Sequence, residues 1–306
     1  MRQKRLSRSS NATTVTTTID SSTSFHLDSP DRPFDNILNF RDVGKSINEF
    51  TGSKILKENI LFRSARPDDA SKRDRQRLQD DISLSTVIDL RSKRRRNSLP
   101  ASSLEDANIA NTPPSYRQHL LELPGVNRHF ISLTGRAFER LLLWRLDCLR
   151  LPRGCSQAQD TLDCAGAEIR EIFDILTKGK SYPVLIHCTQ GKDRTGLIIL
   201  LLLFLIADTS SPALLSTQKE GQQSIPLNAM ASDYMKSESE LQPEFESLMK
   251  EISDIGLDEE YAKTPSGFTG ALKSYLDTKY GGVRKYLLSI GVGEEKIDRV
   301  IRTLMV

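Results

Sequence analysis

His187-Cys188-Thr189-Gln190-Gly191-Lys192-Asp193-Arg194-Thr195-Gly196 is the stretch on which the reading of this chain turns. Tyr182-Pro183-Val184-Leu185-Ile186 before it has the composition of a buried strand, with Pro near the start where a strand tolerates it. Leu197 to Ala207 after it is almost wholly apolar and suits a core helix. The decapeptide is therefore a short strand-to-helix loop. In such a loop the backbone N–H groups can turn inward as a nest, and the helix N-terminus adds the positive end of its dipole. Gly191 lets the backbone bend where a side chain would block it. Arg194, six positions after Cys188, offers a planar fork for two oxygens of an anion. The same positive surroundings favour the Cys188 thiolate. That thiolate can attack phosphorus and form a phosphocysteine, which water then hydrolyses.

Phosphate contacts are expected from Thr189, Gln190, Gly191, Lys192, Arg194, Thr195 and Gly196, with Thr195 also donating to the sulfur as it leaves. His187 is read as orienting the loop rather than as a base. The leaving oxygen needs a proton; Asp193 is the first candidate, with Asp160, Asp163 and Asp89 as alternatives on other segments. Lys192 adds a second cation, which suits substrates carrying more than one phosphate or a phosphate beside other anionic groups. The competing reading is a structural cysteine in an ordinary turn. A bare Cys-x5-Arg is common by chance, but the whole decapeptide with both glycines and Thr195 is not. It is not a nucleotide-binding loop of the Walker type, since position 186 is Ile where that signature needs Gly.

Outward from the loop, Thr86 to Leu90 is a β-branched strand and Ala70 to Asp81 a charged surface helix. Ile55 to Phe62 and His129 to Leu133 suit further strands. Ala137 to Leu149, with Trp144 in a leucine stripe, reads as helix, and Ala165 to Leu176 has the spacing of an amphipathic one. Cys155 to Cys164 reads as loop. Helical patterns return at Leu241 to Ile255, Gly267 to Lys279, Val283 to Ile290 and Glu294 to Leu304. Strand–helix alternation followed by helices argues for an α/β fold, a central sheet flanked by helices with a helical C-terminal part. Residues 1–33 are Ser/Thr-rich without hydrophobic period and read as a disordered tail, leaving 34–306 as one domain.

Composition narrows the classes. Over 306 residues, 38% hydrophobic content supports a packed core, and a net charge of +3 is too small for a whole-surface nucleic-acid binder. The four cysteines show neither disulfide-scaffold density nor zinc-finger spacing, so no metal is expected and a reducing, cytoplasmic setting is. The basic N-terminus lacks a following apolar run, and Leu197 to Ala207 is too short to span a bilayer, which takes about 20 helical residues. The basic run Arg91 to Arg96 suits a solvated loop, or weak contact with an anionic membrane.

The decapeptide matches H-C-x-x-G-K-D-R-T-G at every fixed position and resembles the loop of a bacterial and fungal branch of the Cys-x5-Arg phosphatases, which are tyrosine-phosphatase-like and lipid-phosphatase-like. Other pieces of the resemblance stand in order: Asn39-Phe40-Arg41-Asp42-Val43-Gly44, Leu61-Phe62-Arg63-Ser64-Ala65, Val87-Ile88-Asp89-Leu90-Arg91, Asp233-Tyr234 and Tyr280-Gly281-Gly282-Val283. The resemblance implies a mostly parallel central sheet, a mechanism without metal or cofactor, and Asp193 as general acid. It implies phosphotyrosine or phosphoinositide substrates. Arg41, Asp42 and Arg63 then belong behind the phosphate loop or against substrate, and Arg91 would orient the loop or a carboxylate. One departure is expected to matter: Trp144 to Asp163 is short and irregular, which leaves a phosphate-binding module with weak turnover as the alternative.

Overall fold

The computed structural model describes residues 33–92, 123–133, 155–208, 224–245 and 266–306. The N-terminal tail, the basic run beyond Ser92, the leucine stripe around Trp144 and most of the expected 241–255 helix lie outside the described residues.

Five short strands form one sheet in the order β1-β2-β5-β3-β4. They are β1 (Arg41–Asp42), β2 (Leu61–Ser64), β3 (Thr86–Asp89), β4 (Asn127–Phe130) and β5 (Val184–His187). Only β1 runs antiparallel. β5 is central and pairs with β2 on one side and β3 on the other. This register sets Ser64, His187 and Asp89 side by side at the C-terminal edge. Open parallel sheets bind ligands at that edge, where neighbouring connections leave in opposite directions. The expected mostly parallel α/β architecture is thus what the chain adopts.

The helices that build the core follow from their sequences. Helix α1 (Val43–Thr51) starts at Asp42, whose carboxylate accepts from the Gly44 and Lys45 N–H groups, and stops at Gly52 in the left-handed region. Helix α2 (Lys72–Asp80) opens with a capping box between Ser71 and Asp74. Helix α3 (Cys155–Cys164) occupies the segment expected to be a loop. Its stripe is small, Ala158 and Leu162 running on to Ala165, and its sequence is otherwise polar, so the period is faint. Tertiary bonds hold it: Tyr286 Oη donates to the Leu162 carbonyl at 2.8 Å, and Tyr275, Tyr280 and Lys279 all donate to Asp163. The stretch before Asp163 is therefore ordered helix from Cys155 onward. Helix α4 (Gly166–Leu176) buries Ile169, Ile172, Phe173 and Leu176, the expected face.

Helix α5 (Asp193–Ala207) is buried on all sides from Thr195 to Ile206 and forms the centre of the core. Against it pack α6 (Leu227–Glu240), α8 (Val283–Ser289) and α9 (Glu294–Leu304), while α7 (Phe268–Tyr280) packs on α3, α6 and α8. In α9, Ile297, Val300, Ile301 and Leu304 face the core, with Glu294 and Glu295 in the first turn where the dipole favours them. None of the described helices is long and apolar enough to cross a membrane.

Candidate active site

The decapeptide runs from the last residue of β5 into the first turn of α5. Its backbone conformation is set by where its carbonyls are tied. The Cys188 carbonyl lies 3.1 Å from His187 Nδ1, and the Thr189 carbonyl accepts from the Arg66 N–H at 2.9 Å. The Gln190 carbonyl accepts from Asn39 Nδ2 at 2.8 Å, and the Gly191 carbonyl from Arg63 Nη2 at 2.7 Å. The Lys192 carbonyl accepts from the Gly196 N–H at 2.7 Å and, more loosely, from Arg63 at 3.5 Å. In a trans peptide the N–H points opposite to the C=O. Three carbonyls held from outside the loop, with those of Cys188 and Lys192 tied mainly within it to His187 and Gly196, leave the N–H groups of 189 to 193 facing the other way. One of them is seen to do so: the Gly191 N–H donates to Cys188 Sγ at 3.2 Å.

Gly191 is required on two grounds. Its φ is +68°, and a Cβ there would sit 2.1 Å from the Ser64 carbonyl oxygen. Gly196 is required by packing, since its Cβ would meet the Tyr234 ring at 2.9 Å. Cys188 is a buried free thiol, 3% exposed. Arg194 is partly exposed, and its guanidinium reaches the Leu90 carbonyl and Thr189 Oγ1, both at 3.4 Å. These are long contacts that an oxyanion can replace. The Thr195 hydroxyl is buried without a partner among the described residues, a donor still to be used. Lys192 is buried, with its ammonium 4.0 Å from Asp193 Oδ1. Asp193 stands at the rim with its side chain 57% exposed, and Tyr234 Oη donates to it at 3.5 Å.

The supporting residues divide into two buried charge clusters. Arg63 is wholly buried and donates to Asp233 Oδ2 at 2.6 Å as well as to the loop. Burial, and then the charge of Arg41, bring it down to about 10, still protonated at neutral pH. Burial alone would raise the Asp233 carboxyl, but Arg41 and Arg63 together outweigh it and hold it well below the carboxylate range. In the second cluster Arg91 binds Asp89 through Nε and Nη2, at 3.0 and 2.8 Å, and also grips Asp68. Arg128 adds a 3.2 Å bond to Asp89. Burial opposes ionisation of Asp89, but the bonds and charge of Arg91, joined at low pH by a protonated His187, outweigh it and hold it well below the usual carboxylate range. Burial drives His187 the other way, down to about 4 against the pull of Asp89, so its ring is neutral at pH 7.

Among the four candidate acids, only Asp193 belongs to the loop and stands exposed at its rim. Asp89 is held ionised, Asp163 is engaged by Lys279 and two tyrosines, and Asp160 is half-buried on α3. Asp42 caps α1 and accepts from the Asn59 N–H, and burial raises it to about 6; these bonds serve the helix start rather than the loop. Two residues missed as site members are Asn39 and Asp233. The Asn39-Phe40-Arg41 segment and the Asp233-Tyr234 pair were visible signals, but nothing local says that they converge on Gln190 and Gly191. Among the described residues no group of three or more His, Cys, Asp or Glu could hold a metal ion.

Residues 32–211 match the tyrosine phosphatase family. The chain belongs to that family. It is 26% identical to the triple specificity protein phosphatase PtpB of Mycobacterium tuberculosis, over 87% of this chain and 96% of that one. It is 29% identical to a tyrosine-protein phosphatase of Nostoc commune over 44% of this family member and 42% of the relative, so it spans less than half of that protein. A solved structure, the core catalytic domain of the S. cerevisiae PP-IP phosphatase SIW14, aligns at 15% identity over 60% of this chain and 74% of that one, with a TM-score of 0.31.

Proposed function

We propose that this family member hydrolyses phosphate monoesters through a phosphocysteine intermediate. The observation that carries the reading is the set of loop carbonyls held from outside by Arg66, Asn39 and Arg63, with the Gly191 N–H turned onto Cys188 Sγ. The Cys188 thiolate attacks phosphorus in line with the ester oxygen, and the P–O bond breaks with its electron pair on that oxygen. Asp193 gives that oxygen its proton and becomes a carboxylate. Water then attacks phosphorus, Asp193 takes a proton from it, and the P–S bond breaks to release inorganic phosphate and restore the thiolate. Arg194 and the loop amides hold the equatorial oxygens throughout, and Thr195 donates to the departing sulfur. His187 helps to orient the loop through the Cys188 carbonyl, and the Lys192 charge biases the site toward highly anionic substrates.

The substrates are protein phosphotyrosine first and phosphoinositides second; the triple specificity of the Mycobacterium relative supports breadth of substrate. The domain begins near Phe34, works in the cytoplasm, needs no cofactor, and meets anionic membranes weakly through its basic run. The test is phosphate release from phosphotyrosine peptides, phosphoserine peptides and phosphoinositides, with Cys188→Ser alongside. Release that vanishes in Cys188→Ser is the expected result. A folded wild-type protein that binds phosphate but releases none from any substrate overturns the enzyme in favour of a phosphate-binding module.

A further inference from the structure

We propose that Asp233 is a positioning residue for the phosphate loop, acting at a distance through Arg63 and Arg41. Asp233 lies on α6, more than thirty-five residues after the loop in the chain, and its carboxylate is 1% exposed. One oxygen takes Arg63 at 2.6 Å and the other takes Arg41 at 2.8 Å. From there two arms reach the loop. Arg63 Nη2 holds the Gly191 carbonyl at 2.7 Å and touches that of Lys192. Arg41 donates to Asn39 Oδ1, and Asn39 Nδ2 holds the Gln190 carbonyl at 2.8 Å. Asn39 is fully buried with φ +54°, a conformation that Asn tolerates better than most residues. One carboxylate therefore sets three consecutive peptide planes, 190–191, 191–192 and 192–193, whose N–H groups are those of Gly191, Lys192 and Asp193.

The physical need is specific. A guanidinium with zero exposure in the sheet must have an anionic partner, or it would retreat toward water and release the carbonyl it holds. Asp233 is that partner. Its second oxygen and its backbone carbonyl, which accepts from Arg41 Nη2 at 2.7 Å, lock Arg41 in the same way. Without the negative charge, the buried Arg63 and the part-buried Arg41, 2.6 and 2.8 Å from one side chain, repel each other across it. The loop peptides then lose their outward anchors, and the inward N–H groups lose aim at both thiolate and phosphate. Asp233 makes no bond of its own to the loop, so its effect is on geometry rather than on chemistry.

The inference rests on the phosphate-loop reading, and the test separates the two. Asp233→Asn keeps the size and removes the charge; Arg63→Lys keeps a charge for Asp233 but cannot fork to it and to Gly191 together. For wild type and both variants, thermal melts, inorganic phosphate binding by calorimetry, and the pH profile of Cys188 alkylation by iodoacetamide would be measured, with aryl phosphate turnover below the melting temperature. Expected in the variants are an alkylation profile displaced to higher pH and phosphate affinity and kcat/KM lowered roughly ten- to hundredfold. Variants that melt lower yet keep the wild-type alkylation profile and phosphate affinity would show a purely structural carboxylate and overturn the proposal. If Asp233→Asn does not fold, Arg63→Lys carries the same readouts and the same two outcomes. A wild-type protein without turnover would sink the phosphatase reading alone, because alkylation and phosphate binding still report on Asp233.

Discussion

Replacing Gly191 with Ala should damage the site more than the fold. The new Cβ would lie 2.1 Å from the Ser64 carbonyl oxygen, 2.4 Å from its carbon and 2.7 Å from the Ala65 nitrogen. All three are backbone atoms. They cannot give way, because Ser64 is paired with His187 in the sheet and the Ala65 N–H is bonded to Leu38 at 2.8 Å. Real Cβ contacts stay above 3.0 Å, so the loop itself must retreat by about 1 Å. A misplacement of that size costs on the order of 100-fold in rate, which is about 2.7 kcal/mol of transition-state stabilisation. The φ of +68° adds backbone strain, which for an L residue is roughly 1–2 kcal/mol. In a domain of this size that is a fall in melting temperature of about 2–8 °C. The assay is kcat/KM on an aryl phosphate, with phosphate affinity by calorimetry and a thermal melt on the same preparation. Gly191→Ala with wild-type turnover and affinity would refute the account of how the loop is held.

Asp193→Asn should lower kcat by roughly 10²–10⁴ with KM little changed. The loss should shrink for esters whose leaving group needs no proton, which steady-state kinetics on a leaving-group series would reveal; an equal loss across the series would point to another acid. His187 supplies a stability term that depends on pH. Its folded value near 4 lies below the unfolded 6.5, so the unfolded chain binds the extra proton first. Stability is full above about pH 6.5 and falls toward pH 4, by about 3 kcal/mol from this group. Denaturant unfolding at several pH values should show that slope in wild type and a shallower one in His187→Asn; identical slopes would discard the assignment. Asp163→Ala severs the ties from Tyr275, Tyr280 and Lys279 to α3. Being largely solvent-exposed, that set contributes only modestly to stability. A lower melting temperature with unchanged turnover is expected, and lost turnover would restore Asp163 as the acid.

The loop and its flanking strand and helix were legible because their signals are local: a β-branched run, a ten-residue pattern of donors and glycines, and an unbroken apolar stretch. The last helices were legible for the same reason, as Ile297, Val300, Ile301 and Leu304 show. What escaped was structure held by partners far away in the chain. Helix α6 buries Asp233 and Ser237 beside Ala229, Met230 and Tyr234, so two of its five buried residues are polar and no clear hydrophobic period announces it. Helix α3 depends on bonds from residues over a hundred positions later. In each case the missing information was an ion pair or a hydrogen bond between distant segments, which spacing does not encode. The role of Asn39 is of this kind: its pattern was visible, its 2.8 Å bond to Gln190 was not.

The burial of α5 on every side has a consequence for motion. Its amides and those of β5 exchange with solvent only when much of the domain opens, so they should be among the slowest to take up deuterium. The anion cup is built on that slow unit. Among the described residues, motion at the site is then left to the more exposed side chains of the loop, such as Arg194 and Asp193, rather than to the frame beneath them.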